Sequence, residues 1–238
     1  MIDICVPLTK TRFTIKDFLV SMIDAWKNRF NTVPTKEQLA VLWGQYSLET
    51  GGGGACWNYN IGNYKKRPGD SHSKYCMLPG TWEMVGGKKI IINPPDPGCW
   101  FRSYDSLEQG VEDYILYLSS GRYASSWPAV LAGSPEAFAH QLKIHGFYTA
   151  DEYDYGRGVR RNFNAFMKIP NIDSYFAGPE PAMESIPVVE APLENQTIEV
   201  IAPDMTIVPP SFPDTPLLPV GFWGMIYNFI KNFVSKLS

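Results

Sequence analysis

The chain has no lysine or arginine between residues 171 and 220, a stretch that carries eight acidic side chains and ten of the twenty prolines. Proline fixes φ and removes a backbone donor each time it occurs, so this stretch is expected to be an acidic, proline-rich linker over residues 171–219 and not a second folded domain. No run of 18 apolar residues occurs, so a standard membrane-spanning helix is not expected. Histidine and cysteine are scarce. His72, His140 and His145 offer no His-x-x-x-His pair, and Cys5, Cys56, Cys76 and Cys99 fit no zinc-ligand spacing, so neither a metal site nor a cofactor is expected. A Cys76–Cys99 disulfide would suit work outside the cytoplasm, with the pairing left open by the sequence. There is no Gly-x-Gly-x-x-Gly and no phosphate loop. The opening Met1-Ile2-Asp3-Ile4-Cys5 lacks the basic, apolar and small-residue regions of a secretory signal, so export by that route is not expected.

What is present is enough for a core. Of 238 residues, 45% are hydrophobic and 14% aromatic, which suits one main domain with an appendage. The net charge of -3 hides an asymmetry: residues 1–170 sum to +3, whereas 171–220 sum to -8. The basic residues are scattered along the chain, so nucleic acid is not an expected partner. Phe18, Leu19, Met22, Ile23, Trp26 and Phe30 recur at helical spacing. Thr35-x-x-Gln38 is a capping-box pattern that opens a second helix through Leu39, Leu42, Trp43 and Tyr46, and Gly51–Gly54 must end it. Thr81–Val85 and Lys88–Ile92 flank Gly86-Gly87 as a β-hairpin. Helices resume at Ser106-x-x-Gln109 and at Ser134-Pro135, and a last one carries Val159, Phe163, Phe166 and Met167. These elements read as a β-hairpin inserted among helices.

Glu49 is the candidate for chemistry. It lies three residues after Tyr46 and seven after Leu42, so it projects from the apolar face of its helix, where a carboxylate does nothing for solubility. It also falls in the last turn, whose unpaired carbonyls carry partial negative charge. Burial and the helix end both push its pKa upward. A carboxylic acid that stays protonated near neutral pH is what a glycosidase needs to donate a proton to the glycosidic oxygen. The alternative is a carboxylate at the rim of the core, paired to a lysine or arginine or capping a loop. Trp57, Tyr59 and Tyr64 follow closely, and aromatic faces stack on sugar rings as well as filling cores.

The run Ala40-Val41-Leu42-Trp43-Gly44-Gln45-Tyr46-Ser47-Leu48-Glu49-Thr50-Gly51, followed by Asn58-Tyr59-Asn60-Ile61-Gly62-Asn63-Tyr64-Lys65, resembles the glucosaminidase family of peptidoglycan hydrolases, the group of flagellar rod muramidases and bacterial autolysins. Thr81-Trp82-Glu83 before Gly86-Gly87-Lys88 is similar to that family's hairpin. Trp100-Phe101-Arg102-Ser103-Tyr104-Asp105-Ser106 is similar to its entry into the next helix. Gly146-Phe147-Tyr148-Thr149-Ala150-Asp151-Glu152-Tyr153 resembles its Tyr-Ala-Thr-Asp-x-x-Tyr, with Thr and Ala exchanged and Tyr153 one residue early. The resemblance spans residues 14–168. It implies a lysozyme-like α+β domain over residues 1–170, with a glycan groove between a mainly helical lobe and a small β-lobe. It also implies Glu49 as general acid, Glu83 as a second carboxylate activating water, and Tyr148 bonding the acetamido group or the transition state. Trp57, Tyr59, Asn60, Tyr64, Asp151 and Tyr153 are then the candidate substrate contacts. The family includes both N-acetylglucosaminidase and muramidase types. A lytic transglycosylase using Glu49 as its sole acid and base, and a non-catalytic glycan-binding virion protein, stay open as alternatives.

Over residues 220–238, Phe222, Met225, Ile226, Phe229, Ile230, Phe233 and Leu237 form one helical stripe, with Lys231 and Lys236 away from it. Such a helix suits a membrane interface, a groove on a virion partner, or docking on its own domain. A glycan-cutting domain without an export signal, on an acidic arm with an apolar end, is the combination expected of a bacteriophage protein. It would act from the virion or in the host periplasm and cell envelope.

Overall fold

The computed structural model describes residues 2–68, 70–85 and 88–176, with residues 83–85 described by backbone alone. Most of the expected linker and all of the expected terminal helix lie outside the described residues. The fold is α+β and consists of β1 (Ile4–Cys5), α1 (Ile15–Phe30), α2 (Lys36–Thr50), β2 (Lys74–Met77), β3 (Thr81–Val85), β4 (Lys88–Ile92), β5 (Trp100–Arg102), α3 (Leu107–Ser119), α4 (Trp127–Leu131), α5 (Pro135–Ile144) and α6 (Glu152–Met167). It continues past residue 170: Ile172 is buried in the main core and Lys36 pairs with Asp173 at 2.8 Å.

Local chemistry sets the helix ends. Thr14 and Thr35 each open a helix with a reciprocal capping box, to Asp17 and Gln38 respectively. Asn31 and Gly51 close α1 and α2 in the left-handed conformation, at φ 54° and 58°. The apolar spacing of α2 predicts a one-sided helix, but the structure buries almost every residue from Leu39 to Thr50, leaving Trp43 half-buried. The reason is position. Helix α2 runs through the centre of the domain, where Phe18 of α1 stacks on Tyr46, Tyr114 of α3 bonds the Leu42 carbonyl, and α6 lies alongside.

Glycine on both sides lets α2 and α6 come close. A Cβ on Gly44 would stand 2.7 Å from the Val159 carbonyl oxygen, and one on Gly158 would stand 3.0 Å from Leu48. This approach holds the last turn of α2 against the first turns of α6.

The expected hairpin forms, with Thr81 opposite Ile92 and Glu83 opposite Ile90. A second small sheet has β1 parallel to β2 and β2 antiparallel to β5. Its strands are two to four residues long, too short for an alternating pattern to mark them in the sequence. All four cysteines are free thiols, Cys76 and Cys99 included. Among the described residues no helix is long and apolar enough to cross a membrane.

Replacing Gly44 by alanine should destabilise the fold by about 2 kcal/mol, because overpacking at the α2–α6 contact outweighs the roughly 1 kcal/mol that alanine adds as a better helix former. Thermal denaturation checks this, and an unchanged or raised Tm would mean that the helices are not packed this closely.

Candidate active site

Glu49 sits in the last turn of α2 and is 2% exposed. Its Oε1 accepts a hydrogen bond from the Tyr155 hydroxyl at 3.2 Å and from the Gln45 amide at 3.3 Å. Gln45 is itself fixed, since the Tyr114 hydroxyl donates to its Oε1. The Asn63 side-chain amide donates to the Glu49 backbone carbonyl, which ties the following loop to the end of α2.

Burial, more than these contacts, decides the protonation state. Burial pushes the Glu49 carboxyl up to about 8, against a smaller opposing effect of the Tyr155 and Gln45 hydrogen bonds. Tyr155 and Tyr114 are also raised well above the usual phenol range by burial, with Glu49 adding to it, so both remain neutral donors. With Oε1 accepting two donors, the proton of the neutral acid belongs on Oε2, to which no described residue donates.

The rim-carboxylate alternative requires a cation or a loop to cap; among the described residues no cation pairs with Glu49, and the donors to its carboxyl are the side chains of Gln45 and Tyr155, not loop N–H groups. The contrast within this domain is informative. Arg102 lies between Asp70 at 2.7 Å and Asp113 at 2.9 Å, and buried Lys66 pairs with Asp3 at 2.9 Å. Elsewhere in the domain buried charge is matched by charge, whereas Glu49 is surrounded by neutral donors.

The structure distributes the other candidates unevenly. Tyr148 is buried, donates to the Ala139 carbonyl at 3.0 Å, and stacks on Tyr155 with ring centroids 3.6 Å apart at 11°. It supports the ring of Tyr155, and the hydroxyl that reaches Glu49 is Tyr155's. Asn60 is buried and bonds the Tyr64 and Arg102 carbonyls at 2.9 and 3.0 Å, so it pins the loop. Tyr64 lies in the core, stacked on Tyr117 at 3.9 Å, with no face open to a sugar. Trp57 and Tyr59 are half-buried, and Lys10 stands 5.9 Å from the Trp57 ring. Asp151 caps α6 by accepting from the Asp154 N–H, and Tyr153 is 73% exposed beside Arg157. Glu83 has its backbone in β3, and its side chain lies outside the described residues. No group of His, Cys, Asp and Glu among the described residues is arranged to hold a metal ion.

Tyr155 and Gln45 are the contacts that sequence reasoning missed. The signal was present for both. Tyr155 extends the Val159 and Phe163 stripe of α6 one turn back, and Gln45 lies one helical turn before Glu49 on the same face.

No known family's profile matches the chain, and no curated protein matches it. Two solved structures align with it. One is a C-terminally truncated glycoside hydrolase domain of FlgJ from Salmonella typhimurium, 22% identical, covering 65% of this chain and 98% of that one, with a TM-score of 0.42. The other is the glycoside hydrolase domain of the same protein, 22% identical, covering 65% of this chain and 89% of that one, with a TM-score of 0.41.

A raised carboxyl pKa makes stability depend on pH with a defined sign. Between the ordinary value of 4.5 and about 8 only the unfolded chain releases this proton, so the native state loses stability as pH rises, by up to about 1.4 kcal/mol per unit. Glu49→Gln removes that loss. The Tm advantage of the variant should grow steadily from pH 5 to pH 8, and calorimetry showing a constant difference would contradict the buried neutral acid.

Proposed function

We propose that the protein is a peptidoglycan hydrolase that cleaves β-1,4 bonds of cell-wall glycan, with Glu49 as the general acid. The observation that carries this reading is a buried carboxyl kept protonated through neutral pH by its surroundings, at the end of a helix reading Glu49-Thr50-Gly51. The motifs that follow in the order of the glucosaminidase family support it. Glu49 Oε2 protonates the leaving glycosidic oxygen, while Tyr155 and Gln45 hold Oε1 and stabilise the carboxylate that forms. Tyr148 acts through Tyr155 as a positioning residue. Glu83, on the hairpin, is the base for water, and the reaction is of the N-acetylglucosaminidase or muramidase type. Trp57 and Tyr59 are the aromatic surfaces offered to the glycan.

The same reading extends to context. A bacteriophage protein acting in entry or lysis would combine this domain with the acidic arm, and residues 220–238 would anchor it to a membrane or virion component. Asp substituted at Phe229 and Phe233 should release the full chain from liposomes or virions while glycan cleavage persists. Retention of binding by that variant would exclude the anchor.

Glu49→Gln should reduce the release of soluble fragments from purified sacculi by about a thousandfold, because an amide cannot donate the required proton. A rate within tenfold of the parent would exclude Glu49 as the acid. Mass analysis of the new ends separates the hydrolase types, and an anhydro end would replace hydrolysis by transglycosylation. Tyr155→Phe should lower kcat about tenfold and move the alkaline limb of the pH–rate profile upward, since the lost donor favoured the ionised carboxylate. An unmoved limb would mean that Tyr155 does not act on Glu49.

A further inference from the structure

Beside the glycine turn that follows Glu49 is a second feature with its own chemistry. A cleft of about 300 Å³ lies between an N-terminal strap and this turn, lined by Lys10, Arg12, Phe13, Tyr46 and Gly52–Gly54. Lys10 and Arg12 are both exposed, and neither has a carboxylate partner among the described residues. Among the described residues no acidic side chain lines the opening. Six other cations of the domain, Lys36, Lys66, Lys74, Arg102, Arg157 and Arg160, each reach an aspartate or glutamate.

The arrangement is built into the fold. Thr11 N–H donates to the Cys56 carbonyl at 3.1 Å, Tyr59 N–H donates to Thr11 Oγ1 at 3.1 Å, and Asn58 N–H donates to the Thr9 carbonyl at 2.8 Å. Backbone bonds therefore hold the strap on both sides of Lys10 and next to Arg12. The opposite wall is tied to the end of α2 by Gly52 N–H to the Ser47 carbonyl and Ala55 N–H to the Thr50 carbonyl, both 2.8 Å. Gly53 has φ +85°, and a Cβ there would stand 2.8 Å from the Tyr46 hydroxyl, so a side chain would fill the floor of the cleft.

We infer that this cleft is a carboxylate subsite that receives the acidic stem peptides of the substrate, and that it selects peptide-bearing glycan over neutral glycan. The inference rests on the peptidoglycan-hydrolase reading for the identity of the ligand. Two cations facing one opening repel each other until an anion enters, and a guanidinium presents a fork that matches a carboxylate. A chitin strand carries no carboxylate, whereas the peptides of a cell-wall strand carry several. The turn begins two residues past Glu49, so the cleft adjoins the end of the helix that carries the acid.

The test uses the full chain with Glu49→Gln, which leaves sacculi intact, titrated onto purified sacculi and onto chitin particles. Adding Lys10→Gln and Arg12→Gln should weaken binding to sacculi about tenfold and flatten its salt dependence, with a much smaller change on chitin. Lys10→Arg with Arg12→Lys should retain the parent affinity. Equal weakening on both polymers, no weakening on sacculi, or equal loss in the charge-conserving variant would overturn the subsite. Tighter binding to both polymers would mean that the cleft holds the chain's own acidic segment, which also overturns it. Cleavage of sacculi by the parent is scored separately: its absence removes the hydrolase reading and leaves this binding comparison decisive by itself.

Discussion

A carboxyl group held out of water between α2 and α6, with neutral donors and no cation beside it among the described residues, is costly to ionise, and the candidate site is organised around that cost. Glu49 stays protonated because desolvation dominates its surroundings. The packing that excludes water also positions the donors. The glycine-mediated approach of α2 and α6 brings the Tyr155 hydroxyl to Oε1, and Tyr148 fixes the ring of Tyr155 from behind. The same contacts therefore serve stability and acidity, which is why a core position, Gly44, bears on the site.

Much of the site's environment was legible in the sequence because it depends on local rules. The capping box at Thr35, the glycine after Thr50 and the spacing of Leu42, Tyr46 and Glu49 are all short-range, and together they place a carboxyl in the buried last turn. The hairpin was legible for the same reason. The identity of the tyrosine at the acid was not. Tyr148, Tyr153 and Tyr155 lie within one short segment, and what separates them is where α6 begins: Asp151 caps it, so Tyr155 faces α2 while Tyr153 faces solvent. The roles of Asn60 and Tyr64 were also hidden, because they depend on contacts with residues 102 and 117, far along the chain. Periodicity likewise misjudged α2, since a one-sided stripe cannot reveal a helix enclosed on every side.

Charge is handled in three ways across this domain. Arg102 is buried against two aspartates, Glu49 is buried without its charge, and Lys10 with Arg12 line an opening with no carboxylate partner among the described residues. Paired charge maintains the fold. Glu49 ends the helix from which the glycine turn runs, and Lys10 and Arg12 line the cleft beside that turn.

The central claim, that Glu49 remains a neutral acid at physiological pH, is tested most directly by carbon-13 NMR titration of the glutamate side-chain carboxyls, with Glu49→Gln identifying the resonance. The account predicts a midpoint near 8 for this one carboxyl. A midpoint near the ordinary 4.5 would contradict it.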